Sequence, residues 1–189
     1  MTRSFLTILV VSMLASAATA GSIEGKVTPG DSVVYVDVIA GKTFPAPTQK
    51  ALIDQKGLKF SPQLLVIQVG TTVEFQNDDS VQHNVFWPSV GGNRKLSHNL
   101  GTWPQGEKRP FKFDQPGVVP LLCNVHPEMS GYIIVSPTPY FAQTDAGGNY
   151  KIANVPDGKY TVVAWHDGVK QAKAVDVAGA GKADFAISK

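Results

Sequence analysis

The chemically distinctive residues of this sequence are a cysteine, a methionine and two histidines in two short segments. Cys123, His126 and Met129 follow one another at intervals of three residues, and His83 lies forty residues before Cys123. A thiolate, two imidazoles and a thioether that converge on one point form a soft ligand set, which suits copper cycling between one and two positive charges. The residues therefore predict an electron-transferring copper centre, with zinc left open as a competitor.

The count of sulfur-bearing residues strengthens this interpretation. A lone Cys or Met in a β core is usually a packing residue. Removal of a 20-residue leader would take away Met1 and Met13, so that the remaining chain would hold one Met and one Cys, both beside His126. A single Cys cannot form an internal disulfide, so it is either a buried small hydrophobe, an intermolecular link or a chemically used thiol.

The first 20 residues have the pattern of a cleavable signal peptide. Arg3 precedes an apolar stretch at residues 5–15, and Ala18 and Ala20 favour cleavage before Gly21. We therefore expect a periplasmic or secreted protein. No later stretch is apolar for the roughly 20 residues that a membrane span needs. Loss of Arg3 would lower the formal net charge from +2 to +1, which gives no strong attraction to nucleic acid or anionic lipid.

The fold class predicted by the apolar pattern is all-β. Short alternating or β-branched runs recur between clusters of Gly, Pro, Asn and Asp. The better strand candidates are residues 32–39, 64–69, 72–75, 85–87, 109–113, 118–123, 132–135, 160–165 and 173–177. Val119, Leu121 and Cys123 share one face of a strand, which aims the thiol inward, and the loop after it can return His126 and Met129 to the same pole.

Residues 47–137 resemble the cupredoxins, the small blue copper proteins such as plastocyanin, pseudoazurin and amicyanin. The likeness includes residues 60–62 and 69–78 ahead of His83 and residues 117–118 ahead of the ligand loop, whose spacing is that of amicyanin. It implies a Greek-key β-sandwich with one type 1 copper ion. His83, Cys123 and His126 would be the equatorial ligands and Met129 the axial one. Asn84 would tie the two ligand loops together.

The ends of the chain resemble a second family. Residues 144–162 are similar to the tail motif of carboxypeptidase regulatory-like, transthyretin-like β-sandwiches, and residues 23–27 match the first strand of that family. The Pro-rich segments 44–47 and 137–139 read as linkers. We therefore expect residues 21–46 with 138–189 to form a discontinuous β-sandwich, interrupted by the copper domain at 47–137.

The function implied by the first resemblance is transfer of single electrons between periplasmic redox partners, such as a c-type cytochrome or a dehydrogenase. Docking is expected at an apolar patch around His126 that includes Val125, Pro127, Trp87 and Pro88. Two alternatives are a periplasmic copper-binding or copper-delivery protein without a redox partner, and a β-sandwich interaction module.

An enzyme is the weaker interpretation. A second copper centre would need further His ligands, and only His98 and His166 remain. His98 is expected in a polar loop within residues 87–106, a stretch longer than in the smallest cupredoxins. His166 is expected at a hairpin tip, so neither histidine is predicted to bind a metal.

Overall fold

The computed structural model describes residues 20–188, and β-strands dominate this part of the chain. A 3-10 turn, Arg94–Leu96, interrupts the strands in the middle of the chain. The predicted signal peptide falls on residues 1–20, of which residues 1–19 lie outside the described residues. Among the described residues, no helix has the length and apolar character needed to cross a membrane.

Strands from both ends of the chain form two sheets. The first sheet contains β1 (Ala20–Thr28), β13 (Asn149–Pro156), β16 (Ala180–Lys182) and β17 (Phe185–Ala186). The second has the order β12 (Phe141–Gln143), β2 (Val33–Val36), β14 (Gly158–His166) and β15 (Val169–Val177). β1 pairs antiparallel with β13, and β2 lies between β12 and β14, so each N-terminal strand has C-terminal neighbours.

Strands from the middle of the chain form two further sheets. The third has the order β5 (Leu64–Gln68), β11 (Ser130–Ser136), β10 (Gly117–Leu122), β7 (His83–Trp87) and β8 (His98–Trp103). The fourth has the order β4 (Phe60–Ser61), β3 (Ala51–Gln55), β6 (Thr72–Asn77) and β9 (Lys108–Lys112). An apolar core that includes Val73, Phe75 and Leu121 lies between these two sheets, as the alternating pattern of β6 predicts.

A second apolar core lies between the first two sheets, and a third cluster joins the two pairs of sheets. Along β14, Val162 and Ala164 belong to the core of the first pair, whereas Val163 and Trp165 face the third sheet. Tyr132 and Ile134 of β11 belong to the same joining cluster as Trp165. The second and third sheets are therefore covered on both faces, which explains the continuous apolar runs in their central strands.

Residues 87–106, in which a polar loop is expected, contain β8. This strand pairs antiparallel with β7. Most of the residues of β8 are exposed, because it is the edge strand of the third sheet. Its sequence therefore lacks the alternation of apolar residues by which a half-buried strand is recognised. His98 accordingly begins a strand rather than lying in a loop.

Candidate metal centre

Two adjacent strands of the third sheet and the loop between β10 and β11 bring the metal-ligand candidates to one pole. His83 is the first residue of β7, and Cys123 comes directly after β10. Leu122, the last residue of β10, pairs antiparallel with Phe86, so the chain beyond β10 runs toward the start of β7, where His83 lies. The loop that carries His126 and Met129 ends where β11 begins.

The three strongest ligand candidates form a compact cluster. One ligand atom each from His83, Cys123 and His126 lies within 4.8 Å of the others. The two Nδ1 atoms of the histidines are 3.0 Å apart, so both rings turn the same nitrogen toward a common point. His83 is fully buried, Cys123 is 3% exposed and His126 is half-buried. The cluster is therefore largely shielded from solvent, and of the three side chains only that of His126 is partly exposed.

Met129 lies on the inner side of the ligand loop. Its side chain is 1% exposed and packs in the same apolar core as Cys123. Its backbone N–H donates to the carbonyl of His126 at 3.0 Å, which closes the loop as a turn. The thioether is therefore enclosed with the thiol.

Asn84 connects the strand of His83 with the ligand loop. Its backbone N–H donates to Cys123 Sγ at 3.4 Å, and its Oδ1 accepts the N–H of Asn124 at 3.3 Å. Its Nδ2 donates to Asn99 Oδ1 at 2.8 Å and to the Gly101 carbonyl at 2.7 Å. Both amide hydrogens are thus used by β8, which fixes the direction of Oδ1 toward the loop. Asn99 is a supporting residue that sequence reasoning missed.

Asp79 is a second residue of the site that the sequence analysis missed. Its Oδ2 lies 3.0 Å from His83 Nε2 and accepts the backbone N–H of Leu58 at 2.9 Å. The Leu58 N–H, followed by the imidazole of His83, holds the pKa of Asp79 below its usual value. The signal available in the sequence was an acidic residue four positions before a ligand histidine, which is too common to stand out.

The other two histidines lie against different groups. The His98 ring packs on Trp87 and Phe111, with centroid distances of 5.3 and 4.8 Å. His166 is the last residue of β14, next to the turn to β15 as expected, and its Nδ1 lies 3.2 Å from Ser32 Oγ. Neither belongs to the cluster of His83, Cys123 and His126.

The surface near the ligand pole differs in one respect from expectation. Val125 and Pro127 are exposed beside His126, and Val81 is also exposed, two residues before His83. Trp87 is 1% exposed and stacks within the core against Phe75, so it is not part of a surface patch. The Trp87 side chain points into the core because Trp87 lies on the same buried face of β7 as Val85 and His83.

Two protein-family models match parts of the chain, one in its middle and one toward its C-terminal end. Residues 47–136 match the model described as copper binding proteins, plastocyanin/azurin family. Residues 135–185 match the model described as polysaccharide lyase family 4, domain II. The resemblance of the end segments to carboxypeptidase regulatory-like modules stays a prediction.

Three solved structures illustrate the likeness. A novel purple cupredoxin from Nitrosopumilus maritimus is 33% identical over 46% of this chain and 100% of its own, with a TM-score of 0.41. A reduced amicyanin variant is 21% identical over 48% of this chain and 86% of its own, with a TM-score of 0.43. The copper-containing nitrite reductase from Thermus scotoductus is 30% identical over 52% of this chain and 25% of its own, with a TM-score of 0.43.

The family match over residues 47–136 defines the class of this part of the chain. Through residues 47–136, the chain belongs to the plastocyanin/azurin family of copper-binding proteins, the cupredoxins. The donors fit the metal of that family, because a buried cysteine sulfur and two imidazoles beside a buried thioether are the donor types that a type 1 copper site uses.

Proposed function

We propose that this protein is an exported type 1 copper protein that carries single electrons between redox partners. In this proposal His83, Cys123 and His126 are the equatorial ligands and Met129 is the axial ligand. The observation that carries it is the convergence, within 4.8 Å, of the one cysteine of the sequence with two imidazoles inside a cupredoxin domain.

The residues around the cluster support fast electron transfer because they hold the ligands before the metal binds. A bound copper ion would supply a one-electron couple between its two oxidation states. The Asn84 N–H fixes the Cys123 sulfur, and the hydrogen bonds from Asn84 to β8 fix Asn84 in turn. Ligands held in this way need little rearrangement when the charge of the site changes, which is the advantage of preorganised polar groups.

The route for the electron is proposed to pass through the edge of His126. This ring is half-buried, and the exposed side chains of Val125 and Val81, at 45% and 42% exposure, lie on segments next to the ligands. Without Arg3 the formal net charge falls from +2 to +1, so a small apolar patch rather than long-range attraction suits brief contact with a c-type cytochrome or a dehydrogenase.

A carrier is favoured over an enzyme by the positions of the remaining histidines. A second copper centre would require imidazoles that are free to converge, whereas His98 packs on Trp87 and Phe111 and His166 faces Ser32. A copper-delivery protein is the second candidate, since a copper cluster beside an exposed apolar patch serves that role as well. Retention of copper through repeated redox cycles separates the two.

Export rests on the signal-peptide pattern of residues 1–20. The proposed cleavage before Gly21 predicts an exported chain that begins at Gly21, in the periplasm or outside the cell. The intact mass of the protein recovered from a periplasmic fraction tests this. A mass that retains residues 1–20 contradicts it.

We also propose that residues 21–46 and 138–189 form one module into which the copper domain, residues 47–137, is inserted. The supporting observations are the pairing of β1 with β13 and of β2 with β12 and β14, and the shared core that includes Ile23 and Ile152. The motif at residues 144–162, which resembles carboxypeptidase regulatory-like modules, lies on β13, β14 and the turn before them.

Ile152→Asp in the full chain tests this arrangement. Because Ile152 is 2% exposed, a charge there should open the module, and amide exchange of β1 and β2 should accelerate together with that of β13 and β14. The matched control is Ala153→Asp at the next, exposed position. Unchanged protection of β1 and β2 in the Ile152 variant contradicts a shared module.

The test of the function is copper loading followed by redox cycling. We expect one copper ion per chain, intense visible absorption of the oxidised form, and reversible bleaching by a mild reductant without loss of the metal. The relative from Nitrosopumilus maritimus is described as purple, so intensity rather than hue is the criterion. Copper that is lost on reduction would favour delivery over electron transfer.

A further inference from the structure

The loop before β7 is built around the carboxylate of Asp79. Asn77 is fully buried, and its Nδ2 donates to the carbonyls of Val81 and Trp103 at 2.9 and 3.0 Å. Its Oδ1 accepts the N–H of Asp79 at 2.9 Å. These three bonds anchor the loop on both sides of Asp79, so the carboxylate has a defined position next to His83.

A strained turn between β3 and β4 also holds the Asp79 carboxylate. The hairpin between β3 and β4 turns at Gly57 and Leu58, whose φ angles are +62° and +58°. Leu58 is an unusual residue in the left-handed region, because a side chain there crowds the following carbonyl oxygen. In this conformation its N–H donates to Asp79 Oδ2 at 2.9 Å. The turn thus adds a hydrogen bond to the carboxylate from a different segment of the chain.

The contact between Asp79 and His83 determines which nitrogen of the ring faces the copper cluster. Asp79 Oδ2 already accepts one N–H and lies 3.0 Å from His83 Nε2, so Nε2 is the nitrogen that carries the proton. Nδ1 then keeps its lone pair, on the side where the Nδ1 atom of His126 lies 3.0 Å away. A carboxylate bonded to a ligand imidazole also increases the basicity of that ligand.

We propose that Asp79 is a positioning residue for the copper ligand His83, which fixes the Nε2-protonated ring and lowers the reduction potential of the site. The inference rests on the proposed type 1 copper function and adds a residue to it. The negative charge of Asp79 and the more basic imidazole favour the oxidised, more positively charged copper ion over the reduced one.

Three variants of the full chain separate the hydrogen bond from the charge. Asp79→Asn keeps an oxygen acceptor of the same shape and removes the charge. Asp79→Ala removes both. Asp78→Asn is the matched control, because Asp78 is the neighbouring carboxylate and its Oδ1 accepts from Gln76 Nε2 at 2.6 Å rather than from His83.

The measurements are the reduction potential, the affinities for both copper ions, and the ¹⁵N NMR shifts of His83. For Asp79→Ala we expect copper(II) affinity to fall about 10–100-fold while copper(I) affinity changes little. Each tenfold difference between the two raises the potential by about 59 mV. Asp79→Asn should show a smaller rise and keep the Nε2–H tautomer, and Asp78→Asn should change neither the potential nor the tautomer.

A potential in Asp79→Ala equal to that of Asp78→Asn overturns the inference, as does a His83 ring protonated at Nδ1 in the unsubstituted chain. The tautomer is read in the metal-free chain as well as in the copper(I) form. An unsubstituted chain that binds no copper would therefore refute the proposed function, while the NMR spectrum would still decide whether Asp79 orients His83.

Discussion

Met129 closes the ligand loop at the scale of single residues, with its side chain buried and its N–H bonded to the His126 carbonyl. Met129→Leu replaces a weak axial sulfur donor by an apolar group of similar volume. We expect the visible absorption to remain and the reduction potential to rise, because the oxidised ion loses more from the missing donor than the reduced ion does. Voltammetry of the copper-loaded variant measures the shift. Loss of copper binding would show that Met129 has another role.

The residues of the site differ in how far the sequence could reveal them. Cys123 and Met129 could be selected because sulfur ligands are rare in this chain, and their spacing from His126 is short. Asp79 could not, because its role depends on the hairpin turn at Leu58, which lies on a different sheet from His83. Asn99 could not either, since its contact with Asn84 requires the pairing of β7 with β8.

At the scale of elements, β14 and β11 join the two pairs of sheets. Trp165 of β14 is 2% exposed, and its ring meets that of Tyr132 edge-on at 4.9 Å. Trp165→Ala should destabilise the fold by about 3–5 kcal/mol, as truncation of a buried Trp does. The copper spectrum should be unchanged, because Tyr132 faces the joining cluster while Ile133 faces the copper-side core. Urea unfolding and the visible spectrum of the same sample measure both, and an altered spectrum at unchanged stability would contradict this view.

Tyr35 of β2, in the joining cluster, makes the stability of the fold depend on pH. Burial, and secondarily the carboxylate of Asp37, raises the pKa of Tyr35 to about 12. A raised pKa in the folded state contributes stability that is complete below the unfolded value of about 10 and is lost as the pH rises toward 12.

Tyr35→Phe removes this titration and keeps the ring. At a pH one unit above the unfolded pKa, the unsubstituted chain should have lost about 1 kcal/mol more than the variant, relative to their stabilities at neutral pH. Urea midpoints at the two pH values give the comparison. Parallel losses in both proteins would show that Tyr35 does not titrate differently on folding.

The strands themselves were predictable where a face or a whole strand is apolar. β6 alternates, and β2 and the end of β11 are continuous runs because their sheets are covered on both sides. β8 escaped prediction because an edge strand with mostly exposed residues carries no such pattern. The covering of the third sheet by the second depends on pairing between distant segments, which periodicity does not encode.

At the scale of the whole molecule, the proposed electron route and docking surface depend on one small patch, the exposed side chains next to His126. Val125→Asp should slow electron exchange with a c-type cytochrome several-fold, since it places a desolvated charge in an apolar contact. Reduction by a small reagent should be nearly unchanged, and the effect should depend little on ionic strength. Stopped-flow mixing measures both rates.

The matched control for that substitution is Val38→Asp, because Val38 is 69% exposed and follows β2, which belongs to a different sheet from β7 and β10. It should leave both rates unchanged. Equal slowing of the small reagent by Val125→Asp would place the damage at the metal. A steep salt dependence of the unsubstituted protein would instead indicate guidance by a charged patch.

The most direct test of the central claim is the visible and electron paramagnetic resonance spectrum of the copper(II) protein beside that of Cys123→Ser. The account predicts intense thiolate-to-copper charge transfer and the spectrum of a type 1 site in the unsubstituted chain. Both should be lost in the variant, because a hydroxyl supplies neither the soft donor nor that transition. An intensely coloured Cys123→Ser protein, or an unsubstituted chain that binds copper without the band, would contradict it.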